Sequence, residues 1–157
     1  DAGASAVVGS GTHQVQGIEI YNGCPIFYCL GNFFFENDTV EKLPADFLEK
    51  YGVSIHASAQ EGLRARAAQA TASLGARRPV YQTVLPRFSI LDGKCAELEL
   101  LPVDLGLDGP KWEKGVPRLA DARAAEEICA YLNRVSAPYG TRWRVQGQAI
   151  VQTEGEA

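Results

Sequence analysis

At 157 residues, 46% of them apolar, the chain is long enough for one globular domain that buries roughly two-thirds of its unfolded surface. Its formal charge of −4, with acids and bases interspersed, provides no positive field for a phosphate backbone or an anionic membrane, so nucleic acid is not an expected partner. No apolar run reaches the ~18–20 residues that cross a bilayer, and the first residues lack the basic-then-apolar pattern of a signal peptide, so no transmembrane segment is expected here.

Asp1-Ala2-Gly3-Ala4-Ser5 reads as the end of a helix entering a strand, and with no methionine in the chain it implies an upstream segment. Ala6-Val7-Val8, closed by Gly9-Ser10-Gly11, predicts a short buried strand ending in a loop. Ile18-Glu19-Ile20-Tyr21 and Pro25 to Leu30 flank Asn22-Gly23, a pair that supplies both positive φ angles of a type I′ turn and predicts a hairpin. Its second strand is apolar on successive residues, as in an internal strand covered on both faces. Phe33-Phe34-Phe35 would be an aggregation hazard if exposed and is expected in the core.

After a polar stretch from Glu36 to Pro44, Ala45 to Tyr51 predicts a short helix and Ala57 to Leu74 a longer one. Leu63, Ala67, Ala70 and Leu74 make the stripe of that longer helix, and Gly62 weakens it by about 1 kcal/mol. A second hairpin is expected from Phe88–Leu91 and Ala96–Leu100 around Asp92-Gly93. The alternation of its return strand suggests one wet face and an outer position. Leu105 to Pro117 reads as a loop. Asp121 is placed to cap a helix with Ala125, Ile128, Cys129, Leu132 and Val135 on one face, stopped by Ser136 to Thr141. Trp143–Gln146 and Ala149–Val151 read as a last strand bent at Gly147, before a polar end from Thr153. Strands, helices, strands, helix and strand in that order argue a layered mixed α/β domain.

Few residues carry the chemistry of a site. Cys24, Cys29, Cys95 and Cys129 lack the paired C-x-x-C spacing of zinc or iron–sulfur ligands, and small buried thiols are the simpler expectation. Of the two histidines, His13 follows a glycine-rich loop at a strand end, where an imidazole can approach a metal. On spacing alone, a loop histidine is more often a solvated or hydrogen-bonded side chain. His56 has no nearby carboxylate or cysteine and is expected on the surface. The pairs Arg64/Arg66, Arg77/Arg78, Glu97/Glu99 and Glu126/Glu127 read as solvated faces. Gln14 stands where a dinucleotide fingerprint needs glycine, and Val8 where a serine-hydrolase elbow needs one, so neither site is expected.

The run DAGASAVVGSGTHQVQGIEIYNGCPIFYCLGNFFF closely resembles the CapA family of poly-γ-glutamate capsule proteins. The pattern of that family is D-A-G-A-D-x-V-x-G-H-x-x-H-x-x-Q-G-I-E-x-Y-x-G-x-P-I-F-Y-S-L-G-N-F. PRLADARAAEEICAYLNRVSAPYGT also resembles the family's closing helix and turn, which extends the likeness over residues 1–157. The resemblance implies an α/β calcineurin-like metallophosphatase fold, a layered β-sandwich flanked by helices, of which this chain is the C-terminal portion.

His13 matches the second histidine of G-H-x-x-H and is the implied metal ligand, whereas Ser10 stands where the first histidine would be. Gln16 and Asn32 match the family's glutamine and asparagine and are implied, with Ser10, in substrate binding. A divalent metal (Mn, Fe, Zn or Mg) is implied for the intact protein and none tightly bound by this chain alone, because two histidines cannot build a two-metal site. The implied partners are poly-γ-glutamate or its synthesis machinery and the N-terminal portion of the same domain. A capsule-type bacterial member would work outside the cytoplasm or at the membrane. The expected role is that of an accessory to polymer synthesis or export, with a metal-dependent phosphoesterase-like hydrolase, inactive as this portion, as the alternative.

Overall fold

The computed structural model describes residues 2–36, 40–69 and 77–153. Among the described residues the architecture is α/β, with two sheets and three α-helices. The first sheet contains β1 (Val7–Val8), β2 (Ile18–Tyr21) and β3 (Cys24–Phe27) in the order β1-β3-β2. Asn22 and Gly23 turn the β2–β3 hairpin with φ of 52° and 77°, as the Asn-Gly pair requires. β1 joins β3 in parallel, which makes β3 the central strand of the sheet, but only Pro25 and Phe27 are buried while Cys24 and Ile26 are half-buried, so one face is less covered than its apolar run predicts.

The second sheet begins with β4 (Gln82–Leu91) and β5 (Lys94–Asp104), joined at Asp92 and Gly93 with φ of 50° and 76°. β6 (Arg118–Leu119) pairs with β5, and β7 (Trp143–Gln146) and β8 (Ala149–Gln152) complete the order β4-β5-β8-β7. The helices are α1 (Ala45–Lys50), α2 (Ala59–Gln69) and α3 (Ala122–Ser136). Among the described residues no helix is long and apolar enough to cross a membrane.

α3 carries most of the packing logic. The Asp121 side chain accepts the Ala124 N–H at 2.8 Å, which satisfies a donor that the first helical turn leaves free. Ile128, Cys129 and Leu132 then turn inward to meet Ile18 and Phe27 of the first sheet and Val84, Leu100, Trp143 and Ile150 of the second. Burying each large apolar side chain contributes about 1.5–3 kcal/mol, so this one stripe holds both sheets. A smaller core of Val80, Tyr81, Val103 and Leu105 lies beside it and takes Phe35 on its margin.

The structure corrects several expectations. Ala2 to Ala4 lie outside any helix. Val7 and Val8 are 46% and 62% exposed, because β1 is the edge of its sheet rather than a covered strand. Phe33 and Phe34 are likewise exposed, and only Phe35 of that triplet packs inward. β5 is not an outer strand: β4 flanks one side and β8 and β6 the other, since alternation reports which face is wet and not which edge is free.

The expected single bent strand at the end is a hairpin, β7 and β8 running antiparallel with Gly147 at φ 62° in the turn. In α2 the contact face is small rather than leucine-rich: Ala59 and Gly62 are buried and Ala67 is exposed, while Ala70 and Leu74 lie outside the described residues. A side chain at Gly62 would sit 2.6 Å from Leu48 and 2.7 Å from Leu43, so this glycine permits helix contact rather than merely weakening the helix. Cys24 and Cys95 are half-buried, whereas Cys29 and Cys129 are buried as expected, and all four thiols are free.

Candidate functional site

β1 and β3 deliver two loops to one place. The Gly9 N–H donates to the Phe27 carbonyl at 2.7 Å, and Gln16 N–H to the Cys29 carbonyl at 2.9 Å, so the segment carrying His13 is pinned at both ends to the segment leading to Asn32. A bridge between Val15 and Leu30 closes the arrangement. Thr12 Oγ donates to the Gln14 carbonyl at 2.8 Å and receives Gln16 Nε2 at 3.5 Å, which shapes the loop from within.

Asn32 orients the imidazole. Its Nδ2 donates to the Val80 carbonyl at 3.0 Å and to the His13 carbonyl at 3.1 Å, two acceptors that fix which end of the amide is which. Oδ1 therefore faces the ring, 2.8 Å from Nδ1 of His13, and the hydrogen of that bond belongs to Nδ1. In the neutral ring this leaves Nε2 with its lone pair outward, the atom that accepts a proton or ligates a metal. His13 holds φ 60°, a conformation rare outside glycine and enriched where backbone strain serves a site. The Phe35 ring meets the imidazole at 5.9 Å and 66° and in turn stands edge-on to Tyr81 at 5.4 Å.

The four site residues named from the sequence thus take different places. His13 and Asn32 touch; Gln16 supports the loop through Thr12; Ser10 is exposed ahead of His13 and, among the described residues, no hydrogen bond joins it to the pair. His56 is exposed on a turn, as expected.

Cys29 is the residue that sequence reasoning missed as part of this site. Burial pushes its thiol up, but the Thr12 hydroxyl and the N–H groups of Gly31, Thr12 and Gly11 outweigh burial and hold it below the ordinary thiol range. The Gly31 N–H donates to its sulfur at 3.4 Å. The available signal was its place in the F-Y-S-L-G-N-F pattern, where this chain has cysteine for serine.

His13 offers one nitrogen, and among the described residues no group of three or more His, Cys, Asp or Glu could hold an ion. The described residues by themselves do not complete a metal site. Away from the His13–Asn32 pair, a strongly charged cleft of about 440 Å³ lies between the Leu105–Pro117 loop and the start of α3. Its charges are structurally engaged: Arg78 pairs with Asp108 and with Glu127 at 3.6 Å, Arg118 with Glu113 at 2.7 Å, and Asp121 caps α3.

Comparison with known proteins places the His13–Asn32 pair inside a family match. Residues 1–37 match the family model described as bacterial capsule synthesis protein PGA_cap. The PGA biosynthesis protein CapA of Bacillus subtilis is 56% identical over 36 residues, 23% of this chain and 10% of that protein. Two Sinorhizobium fredii proteins, y4sH and y4uA, are each 37% identical over 153 residues, covering 93% of this chain and 33% of the relative. The chain thus spans about a third of the length of these two relatives.

Proposed function

We propose that this chain is part of an accessory protein for making or moving poly-γ-glutamate, and that the His13–Asn32 pair is one wall of a pocket that holds its ligand without turning it over. The observation that carries this reading is the 2.8 Å bond between the two side chains, made within the segment that matches the capsule synthesis family. An imidazole presenting Nε2 can accept an amide N–H of such a polymer or, once protonated, donate to its carboxylates. Ser10, standing where the family pattern has its first histidine, favours holding over turnover.

The proposed scaffold is the C-terminal part of a metallophosphatase-like domain whose opposite wall comes from other residues of the full-length protein. The exposed parallel edge at Val7 and Val8, together with exposed Phe33 and Phe34, supports such a completion. A second reading, a metal-dependent phosphoesterase-like hydrolase, is favoured by the outward Nε2, which is placed as a ligand with Asn32 fixing the ring from behind.

Binding of poly-γ-glutamate to the full-length protein, followed at several salt concentrations, separates the two readings. Saturable binding that weakens at least tenfold in His13→Ala, with no phosphodiester hydrolysis in manganese, is the expected outcome. Hydrolysis abolished by His13→Ala favours the second reading, and neither binding nor hydrolysis overturns both.

A further inference from the structure

We propose that Cys24 and Cys95 join as a disulfide in an oxidising environment, clasping the turn of the first hairpin to the turn of the second. The two cysteines are 71 positions apart in the chain and belong to different sheets, yet their backbones are already linked. The Cys95 N–H donates to the Gly23 carbonyl at 2.8 Å, and that carbonyl belongs to the peptide unit leading into Cys24. One hydrogen bond between these peptide units sets the two backbones side by side, the approach that a disulfide, with its Cα atoms about 4.4–6.8 Å apart, requires.

The Cys24 thiol leans the same way. Cys24 Sγ lies 3.5 Å from the carbonyl of Gly93, two residues before Cys95, and Lys94 covers the Gly23 Cα. Both thiols are half-buried and free, so each is open to a small oxidant. Burial and then the charge of Cys24 push the Cys95 thiol up, a second sign that the sulfurs lie within electrostatic reach. Cys29 and Cys129 are buried, with 1% and 4% exposure, and neither turn brings them to this pair.

The chemistry is thiol–disulfide exchange with a small disulfide such as oxidised glutathione. The Cys24 thiolate attacks one sulfur of the oxidant and expels a glutathione thiolate, giving a mixed disulfide. The Cys95 thiolate then attacks Cys24 Sγ and expels the second glutathione. The protein loses two electrons and two protons, and the oxidant leaves as two thiols. The bond closes a long loop, and since β3 runs on to Cys29 and Asn32, the clasp fixes the site-bearing hairpin against the second sheet.

The test treats the full-length protein with oxidised glutathione, blocks remaining thiols with maleimide under denaturing conditions, and maps the peptides by mass spectrometry. The expected product has Cys29 and Cys129 blocked, a linked peptide pair containing Cys24 and Cys95, and a Tm raised by roughly 5–15 °C until reductant is added. Cys24→Ser and Cys95→Ser should each remove the linked pair and the rise while keeping the reduced-state Tm close to that of the parent. Blocked thiols at both Cys24 and Cys95, a persistent glutathione adduct at either, or a bond from either to another cysteine overturns the proposal.

Discussion

Asn32 holds His13 at two points at once, its Oδ1 on the ring Nδ1 at 2.8 Å and its Nδ2 on the backbone carbonyl at 3.1 Å. Because Nδ2 is also committed to Val80, the amide cannot rotate to present the other end without losing two bonds. The tautomer of the ring is thereby set from behind. Nitrogen chemical shifts of the His13 ring should report the Nδ1–H form in the parent, and Asn32→Ala should return the ring to the Nε2–H preference of a free histidine. An unchanged tautomer in the variant would refute this account. Loss of the Val80 bond should also lower stability by about 1–2 kcal/mol.

The contact was not readable from the sequence, although both residues were named there. His13 and Asn32 entered through positions in a family pattern, and nothing in that pattern says that residues 19 apart touch or that Val80, 48 residues on, completes the bond. Local signals fared better. Asn22-Gly23 and Asp92-Gly93 dictate their turns by backbone sterics, and Asp121 with the stripe behind it defines α3 without distant help. What depends on partners across the fold stayed hidden. Whether β1 is an edge and β5 a centre is decided by pairing, and Gly147 permits a bend or a turn equally until β8 finds β5.

Ser136 shows how much a single hydroxyl can hold. It is fully buried, and its Oγ accepts the Ile18 N–H at 3.1 Å and the Trp143 Nε1–H at 3.3 Å, joining α3 to both sheets. Ser136→Ala leaves two buried donors without an acceptor, a loss of about 2–4 kcal/mol. Chemical denaturation should show the midpoint falling with little change in slope. A loss below about 0.5 kcal/mol would mean that water or a shifted neighbour replaces the hydroxyl.

Alkaline pH should weaken the fold through Tyr28. Its hydroxyl donates to Glu19 at 2.7 Å, and that bond, followed by desolvation and the nearby carboxylate charge, pushes the phenol up to about 12. A raised phenol means that the folded state keeps its proton where the unfolded chain has lost it. The contribution is therefore complete below the ordinary tyrosine range and disappears as pH climbs from there towards 12. Ultraviolet titration should resolve a late phenolate that moves to lower pH in Glu19→Gln. If that variant titrates as the parent does, the carboxylate is not the cause.

Gly115 connects the second core to the site. It sits at φ 90°, its carbonyl accepts the Phe35 N–H at 3.1 Å, and a Cβ there would collide with the Phe35 carbonyl. Gly140 holds a comparable φ of 70° with open space where a Cβ would go, so the two positions separate backbone strain from collision. Gly140→Ala should cost about 1 kcal/mol, the strain alone. Gly115→Ala should cost more than about 2 kcal/mol, because Phe35 must also move. Since Phe35 stands against His13, the second variant alone should shift the His13 ring resonances. Equal costs for the two variants, or His13 resonances unmoved in Gly115→Ala, would show that the segment from Phe33 to Phe35 yields without disturbing the imidazole.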